Sequence, residues 1–394
     1  MAKLKEVCTF YSGTGFPTKY QGNDEGEYAF YKVSDIANNV QLGNTYLSVC
    51  NNYISGEIAK EIKGCILPKD TVVFAKIGEA VKLNRRAITS ADCLIDNNAM
   101  GLAPIQDKLR LDYFFYYMRN LKMEKLAEST TVPSVRKSLL EELEIKVPSL
   151  EEQKEIGEIL DKVSVVIQTR KQEIEQLDLL IKARFVEMFG DLANPECLWD
   201  KSKLIDVCAD KDDIKCGPFG TQLNKDEYME SGIAVWEIPQ INAAFLTKPI
   251  HFLTEEKAEQ LKAYTIIPGD IAMSRKGNVG KCALFPDDYP EGIIHSDVLR
   301  IRVDCKRVNS LFMMCQLHFS GMVTRQIELV SSGAIMAGVN VTKLKQIYIY
   351  VPPMELQNQF ADFVRVVDKS KVAVQKSLDE TQLLFDSLMQ KYFW

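Results

Sequence analysis

Histidine is scarce in this chain of 394 residues, which has only three, and these are widely separated. Catalytic proton relays and zinc sites are commonly built on histidine, so neither is favoured here. The ten cysteines include no C-x-x-C pair and are scattered along the chain. We interpret them as reduced thiols that act as small apolar side chains, and we predict no metal site.

Long hydrophobic runs are also lacking. No stretch of about 18 apolar residues occurs, which excludes a membrane-spanning helix. The first residues, MAKLKEV, contain no apolar segment of signal-peptide length. We therefore expect a cytoplasmic protein without a membrane partner.

Motifs that carry reaction chemistry are missing as well. The GNVGK segment at 277–281 resembles a phosphate-binding loop, but its glycines are too close together and Cys282 stands where a hydroxyl residue is needed. The chain has no G-x-S-x-G or H-E-x-x-H motif and no glycine-rich S-adenosylmethionine fingerprint. The sequence therefore predicts a protein that is not an enzyme, with no catalytic or cofactor-binding residues of its own.

The chain does contain an internal duplication. The segment VPSLEEQKEI at 147–156 is matched by VPPMELQNQF at 351–360, and the match continues without a gap through the residues that follow. Earlier in each half, ILPKD at 66–70 corresponds to IIPGD at 266–270. Repetition of this kind predicts a tandem pair of similar half-molecules, each a globular part followed by a long helix.

The two long helices are the clearest local prediction. Apolar residues recur with helical spacing from Leu150 to Phe189 and again from Met354 to about Tyr392. A helix with one apolar stripe must bury it, so pairing of the two stripes in a coiled coil is favoured. The alternative is that each helix packs only on its own globular half. Periodicity does not decide between parallel and antiparallel pairing.

The globular halves read as mixed α/β. Strand-like runs are separated by turn signals such as Pro68-Lys69-Asp70 and Pro268-Gly269-Asp270. The predicted strands are 27–33, 71–75, 233–238, 270–274, 298–303 and 346–351. Short apolar helices are predicted at 112–123 and 310–319, at corresponding places in the two halves.

Each half also carries a basic loop that contains glycine. One spans residues 76–86 and its counterpart spans 274–281, and both follow a predicted strand. The net charge of the chain is −6. Most of this negative charge lies in the first long helix, since residues 1–148 have 19 basic and 18 acidic side chains. Two matched basic loops are what a protein needs if it contacts a phosphate backbone at two sites, although ordinary surface charge explains either loop alone.

The duplicated P-x-x-E-Q-x-x-I helix start, together with the P-G-D turn and the basic loops, resembles the specificity subunits of type I restriction–modification enzymes. The second copy departs from this pattern at Leu356 and Phe360, and the first half has Lys69 where the family often has glycine. The resemblance implies an α/β (α+β) fold with two globular target-recognition domains, joined by two long, antiparallel coiled-coil helices in a pseudo-twofold tandem repeat. The expected domains are 1–148 and 192–353, with spacer helices at 149–191 and 354–394.

The same resemblance implies a non-catalytic, sequence-specific DNA-binding subunit. Each half is expected to read one part of a bipartite target in double-stranded DNA, separated by less than about 18 base pairs if helices of roughly 60 Å act as the spacer. Expected partners are two adenine methyltransferase (modification) subunits and two restriction/translocase subunits, with S-adenosylmethionine, ATP and Mg on those partners. The competing interpretation is a coiled-coil scaffold whose globular halves bind protein partners.

Candidate DNA-binding residues follow from charge and loop position alone. In the first half they are Lys82, Arg85, Arg86, Arg136 and Lys137, and in the second half Lys225, Arg275, Lys276, Asn278 and Lys281.

Overall fold

The structure of the protein is a computed structural model that describes residues 1–127, 133–190, 199–331 and 338–394. Contacts divide the chain into two compact units. Unit 1 comprises Met1–Lys171 and Lys376–Trp394, and unit 2 comprises Gln172–Gln375. Each long helix therefore contributes one part to each unit. The domain boundary expected at 191/192 lies outside the described residues.

Unit 1 contains two main sheets and a two-stranded ribbon. Its strands are Ala2–Lys3 (β1), Cys8–Ser12 (β2), Tyr28–Tyr31 (β3), Tyr53–Ile54 (β4), Val72–Ala75 (β5), Arg86–Ile88 (β6), Cys93–Ile95 (β7), Ala99–Pro104 (β8) and Glu144–Ile145 (β9). Its helices are Leu4–Val7 (α1), Val33–Gln41 (α2), Gly56–Glu61 (α3), Leu111–Asn120 (α4) and Lys137–Glu141 (α5), followed by Leu150–Phe189 (α6). The strand orders are β2-β8-β5-β6 and β4-β3-β7, and β1 pairs with β9.

Unit 2 has a closely similar plan. Its strands are Asp200–Lys203 (β10), Ile214–Cys216 (β11), Ile233–Trp236 (β12), His251–Leu253 (β13), Thr265–Ile266 (β14), Ile271–Ser274 (β15), Cys282–Leu284 (β16), Gly292–Ile294 (β17), Val298–Ile301 (β18) and Tyr348–Val351 (β19). Its helices are Ile238–Asn242 (α7), Glu255–Gln260 (α8), Ser310–Phe319 (α9), Gly321–Ser331 (α10) and Val341–Leu344 (α11), followed by Met354–Phe393 (α12). The strand orders are β11-β18-β15-β16 and β13-β12-β17-β14, and β10 pairs with β19.

The two strand orders confirm the predicted duplication and correct its alignment at one place. Val72 faces Leu102 in unit 1 as Ile271 faces Ile301 in unit 2, so Val72 corresponds to Ile271. The residue equivalent to Gly269 (φ 85°) is then Asp70 (φ 65°), not Lys69 as the matched P-x-D letters suggest. An aspartate can occupy the left-handed region that glycine adopts freely, so the same turn forms without glycine.

The predicted long helices are confirmed as α6 and α12, and their facing parts run antiparallel within each unit. In unit 1, Leu160 from the first part of α6 shares a core with Phe385 and Phe393 from the last part of α12. In unit 2, Phe185 from the end of α6 meets Phe360 from the start of α12, with ring centroids 5.5 Å apart. Antiparallel order follows because the beginning of each helix meets the end of the other.

The helices pair with each other and also pack on the globular parts, so the alternative in which each helix packs only on its own half is wrong. The paired helix segments also bury apolar side chains against the globular part of their unit, through α4 in unit 1 and α9 in unit 2. The ring centroids of Tyr113 and Phe393 lie 4.8 Å apart, as do those of Phe312 and Phe189. Stripe-to-stripe pairing and docking on the globular part thus use one continuous core in each unit.

A buried glutamine fixes the start of each long helix. The side chain of Gln153 accepts from Arg110 N–H (2.8 Å) and donates to the carbonyl oxygens of Lys108 and Pro148 (2.9 Å each). Gln357 likewise accepts from Asn309 N–H (2.8 Å) and donates to Pro352 O (2.7 Å). Both glutamines are 0% exposed. The duplicated motif therefore ties each helix start to the loop before α4 or α9.

The two helix starts differ in their capping. Ser149 and Glu152 form a reciprocal capping box at α6, with Glu152 N–H to Ser149 Oγ at 3.3 Å and Ser149 N–H to Glu152 Oε2 at 3.0 Å. At α12 the corresponding residues are Pro353 and Leu356, which lack these polar side chains. Leu356 instead packs against the core of unit 2. Apolar burial thus takes the place of the capping box.

No helix among the described residues is long and apolar enough to cross a membrane.

Candidate nucleic-acid interface

Sheet topology places two loops at one edge in each unit. In unit 2, β11 and β15 both run antiparallel to β18, which lies between them. Their carboxyl ends therefore meet at the edge where β18 begins. In unit 1, β2 and β5 flank β8 in the same way. We call this the loop edge of each unit: residues 13–27 and 76–85 in unit 1, and residues 217–232 and 275–281 in unit 2.

The predicted basic loop of unit 2 is a tight hairpin between β15 and β16. Ser274 N–H donates to Lys281 O (2.8 Å), and Gly280 N–H donates to Ser274 O (3.0 Å). Gly277 and Gly280 have φ values of 69° and 83°. The glycines therefore serve the hairpin conformation, which residues with a side chain rarely adopt.

Two predicted cations of this hairpin have partners within the unit. Lys276 forms an ion pair with Asp297, with 2.8 Å between Nζ and the carboxylate. Arg275 Nε donates to Val339 O (3.3 Å), and its guanidinium carbon lies 4.8 Å from the ring centroid of Phe219. These contacts hold both side chains in place at the loop edge.

The other two candidates of the hairpin line a groove. Asn278 and Lys281 face residues of α9 and α10, including His318 and Glu328, around a cavity of about 540 Å³. Partial burial lowers the pKa of His318, and the nearby positive charge of Lys281 lowers it further. Lys225 is exposed, in a turn that follows residues 217–223. The structure thus groups four of the five unit 2 candidates at the hairpin and places the fifth in the neighbouring loop.

In unit 1 the basic loop is braced by the segment that precedes α5. Val135 N–H donates to Lys76 O (2.9 Å), and Gly78 N–H donates to Pro133 O (2.8 Å). This brings Arg136 and Lys137, both exposed, beside the start of the loop. Lys137 pairs with Glu141 at 3.5 Å.

The far end of the same loop carries the remaining candidates of unit 1. Lys82 is exposed and pairs with Glu79 at 2.9 Å, and the hydrogen bond that Lys82 donates to this carboxylate raises the pKa of Lys82. Arg85 is half-buried. Lys82 and Arg85 thus lie at the surface at this end of the loop, and Arg136 and Lys137 lie at the surface at the other end.

Arg86 needs a correction, because it is only 5% exposed. Its guanidinium donates to Asn84 Oδ1 (2.7 Å), Arg85 O (2.9 Å) and Leu121 O (3.2 Å), and burial lowers its pKa. These acceptors lie inside the unit, so Arg86 joins the loop to the end of α4. We withdraw it from the candidate DNA contacts.

Sequence reasoning missed Phe219, an aromatic side chain that is 47% exposed at the loop edge of unit 2. The signal was the segment GPFG at 217–220, a turn directly after a strand. An exposed aromatic residue between two glycines is a candidate for ligand contact, but only the structure shows that it lies under Arg275.

Comparison with known proteins decides the family. Residues 1–179 and 198–381 match the type I restriction modification DNA specificity domain. The chain belongs to this family. Its two matched regions correspond to the two halves of the duplication, as the sequence predicted.

Curated relatives of the family are specificity subunits of type I restriction enzymes. From Methanocaldococcus jannaschii, the MjaIX subunit is 21% identical, covering 99% of this chain and 91% of that relative. The MjaVIII subunit is 22% identical, covering 67% of this chain and 65% of that relative. The EcoBI subunit of Escherichia coli is 20% identical, covering 99% of this chain and 84% of that relative.

Solved structures of the family share the fold. The S subunit of a type I restriction–modification system from M. genitalium has a TM-score of 0.56 and 16% identity, covering 100% of this chain and 95% of that chain. A chain from a study of complex assembly and conformational transition in the type I system also has a TM-score of 0.56, covering 99% and 96%. The predicted fold class is therefore confirmed.

Proposed function

We propose that this chain is the DNA-specificity subunit of a type I restriction–modification complex and that each globular half reads one part of a bipartite target. The observation that carries the proposal is the pair of equivalent loop edges, each bearing basic residues and each built on the same sheet topology. Similar scaffolds with different loops are suited to two different short sequences on one duplex. The family match favours this function over the protein-binding scaffold.

The chain acts without chemistry of its own in this proposal. Adenine methyltransferase and restriction/translocase subunits supply the reactions, with S-adenosylmethionine, ATP and Mg bound to those partners. No group of three or more metal-ligating side chains occurs in residues 1–127, 133–190, 199–331 and 338–394. The role of this chain is to place its partners on a chosen sequence.

Methylome sequencing tests the proposal directly. Strains with and without this chain, each retaining the modification subunit, are compared for methylated adenines. The expected result is a two-part motif with a fixed gap that disappears when the chain is removed. An unchanged methylome, in a strain whose modification subunit is expressed, contradicts the proposed function.

Replacing Arg275 and Lys276 together with alanine is expected to weaken DNA binding. Each cation that neutralises a phosphate contributes about 0.9 to the slope of log K against log salt, so the slope should fall by about 1 if one of the two side chains contacts a phosphate. Fluorescence anisotropy across a salt titration measures both quantities. Lys201→Ala, on β10 rather than at the loop edge, is the control, and equal salt slopes for all three proteins reject this assignment.

Exposed apolar residues on the long helices support a role in docking partner subunits. Leu383 on α12 is 70% exposed, and Val165 on α6 is 61% exposed. Leu383→Asp is expected to weaken co-purification with the modification subunit by about tenfold or more, because a charge is costly in a desolvated contact. Leu246→Asp, at a leucine that is 73% exposed in the globular part of unit 2, should leave assembly unchanged. Equal assembly by both variants argues against docking at Leu383.

A further inference from the structure

Three side chains at the loop edge of unit 2 form a surface that the sequence did not predict. They are Phe219, Gln222 and Arg275, and we call them the Phe219 platform. We propose that the Phe219 platform reads hydrogen-bond acceptors on base edges in one half of the target, which makes these residues specificity-determining. This inference rests on the proposed function and assigns part of the reading to particular atoms.

The position of the platform follows from the sheet. The loop that carries Phe219 leaves the end of β11, and Arg275 leaves the end of β15, on either side of the start of β18. Gly217 N–H donates to Val298 O (3.1 Å), and a Cβ on Gly217 would lie 2.3 Å from His295 O. Only glycine allows this close approach, so the loop is held against the sheet and Phe219 reaches Arg275.

Arg275 is held from three sides. Its N–H donates to Asp297 O (2.9 Å), its Nε donates to Val339 O (3.3 Å), and its guanidinium lies over the Phe219 ring. Among the described residues, its Nη1 and Nη2 have no hydrogen-bond partner. A fixed guanidinium with two free donor groups matches the paired acceptors that guanine presents in the major groove.

Gln222 is oriented by a second pair of contacts. Its Oε1 accepts from Tyr264 O–H (2.9 Å) and from Phe219 N–H (3.3 Å). Its Nε2 donates to none of the residues that the structure describes. With the oxygen occupied, this exposed amide offers a donor and requires an acceptor on its partner. The platform therefore presents directed donors from two loops, which suits base-edge reading better than a mobile lysine does.

The equivalent place in unit 1 is built differently. Gly13 makes the same close approach, since its Cβ would lie 1.8 Å from Asp96 O. The aromatic residue that follows, Phe16, instead stacks on Phe30 with ring centroids 3.7 Å apart, and Lys32 Nζ lies 5.7 Å from its centroid. Among the residues that the structure describes, only those of unit 2 pair an exposed aromatic ring with an arginine at this place, so the platform should serve one half of the target.

The test uses the full chain assembled with its modification subunit and duplexes carrying the two-part motif found by methylome sequencing. Affinity is measured for duplexes with single base-pair changes in each half of the motif. Phe219→Ala, Gln222→Ala and Arg275→Ala are each compared with wild type. The matched control is Tyr348→Ala, which removes an aromatic ring (43% exposed) that lies 4.6 Å from Lys201 Nζ, the same kind of contact in the same unit.

We expect each platform variant to lose about tenfold or more in discrimination at one or two base pairs of a single half-site, while the other half-site is read as in wild type. Tyr348→Ala should keep wild-type discrimination. A uniform loss across all duplexes, which indicates phosphate contact, overturns the inference, as does wild-type discrimination in all three variants. If wild type itself shows no sequence preference, the proposed function fails instead. Thermal unfolding of each variant identifies any loss that comes from misfolding.

Discussion

Phe360→Ala is expected to lower the free energy of unfolding by about 3–5 kcal/mol, the largest single effect that we predict. Phe360 is 0% exposed and lies where α12 meets both α6 and α9. Its ring centroid is 5.5 Å from those of Phe185 and Phe189 and 6.5 Å from that of Phe312. Truncation leaves a cavity among rigid aromatic rings that have little room to collapse into it.

Denaturant unfolding measures this change, and hydrogen exchange locates it, since a chain with two units need not unfold in one step. The loss of amide protection should centre on α9 and the start of α12. Val366→Ala, on the same helix but at a residue 65% exposed, should change stability by less than about 0.5 kcal/mol. If the two variants are equally stable, Phe360 does not have the packing role described here.

Gln153→Met is expected to lower the free energy of unfolding by about 2–4 kcal/mol. Methionine preserves side-chain volume, but it leaves the N–H of Arg110 and the carbonyl oxygens of Lys108 and Pro148 without their buried partner. Gln357→Met should cost less, because Gln357 makes two such bonds where Gln153 makes three.

The same denaturant titration compares these variants with Gln168→Met, which changes an exposed glutamine on α6. That control should be close to wild type. A cost for Gln153→Met no greater than for Gln168→Met would show that the buried hydrogen bonds contribute nothing net. The reverse order of the Gln153 and Gln357 variants would contradict the count of bonds.

The long helices and the duplication could be predicted because their signals are periodic and extend over many residues. The stripe from Leu150 to Phe189 fixes a helix whatever its partner, and the structure begins and ends α6 at these two residues. The antiparallel direction could not be read from periodicity, since either direction buries an apolar stripe. It depends on which aromatic residues meet, such as Phe185 with Phe360.

The candidate site was less predictable, for two physical reasons. Charge identifies a basic residue but not its burial, so Arg86 was predicted as a DNA contact although its guanidinium is buried and donates hydrogen bonds inside the unit. Contacts between loops that are distant in sequence leave no local pattern, so the meeting of Phe219 with Arg275 could not be foreseen. For the remaining candidates at the loop edges, DNA contact stays a prediction.

The division of the chain into units has a consequence for the order of folding during synthesis. Unit 2 is one continuous stretch of polypeptide, so every segment it needs has been made once Gln375 leaves the ribosome. Unit 1 starts first but lacks part of its core until the last segment, Lys376–Trp394, has emerged to supply Phe385, Met389 and Phe393. We therefore expect the half that is translated second to mature first, a reversal of the usual order in which domains fold as they are synthesised.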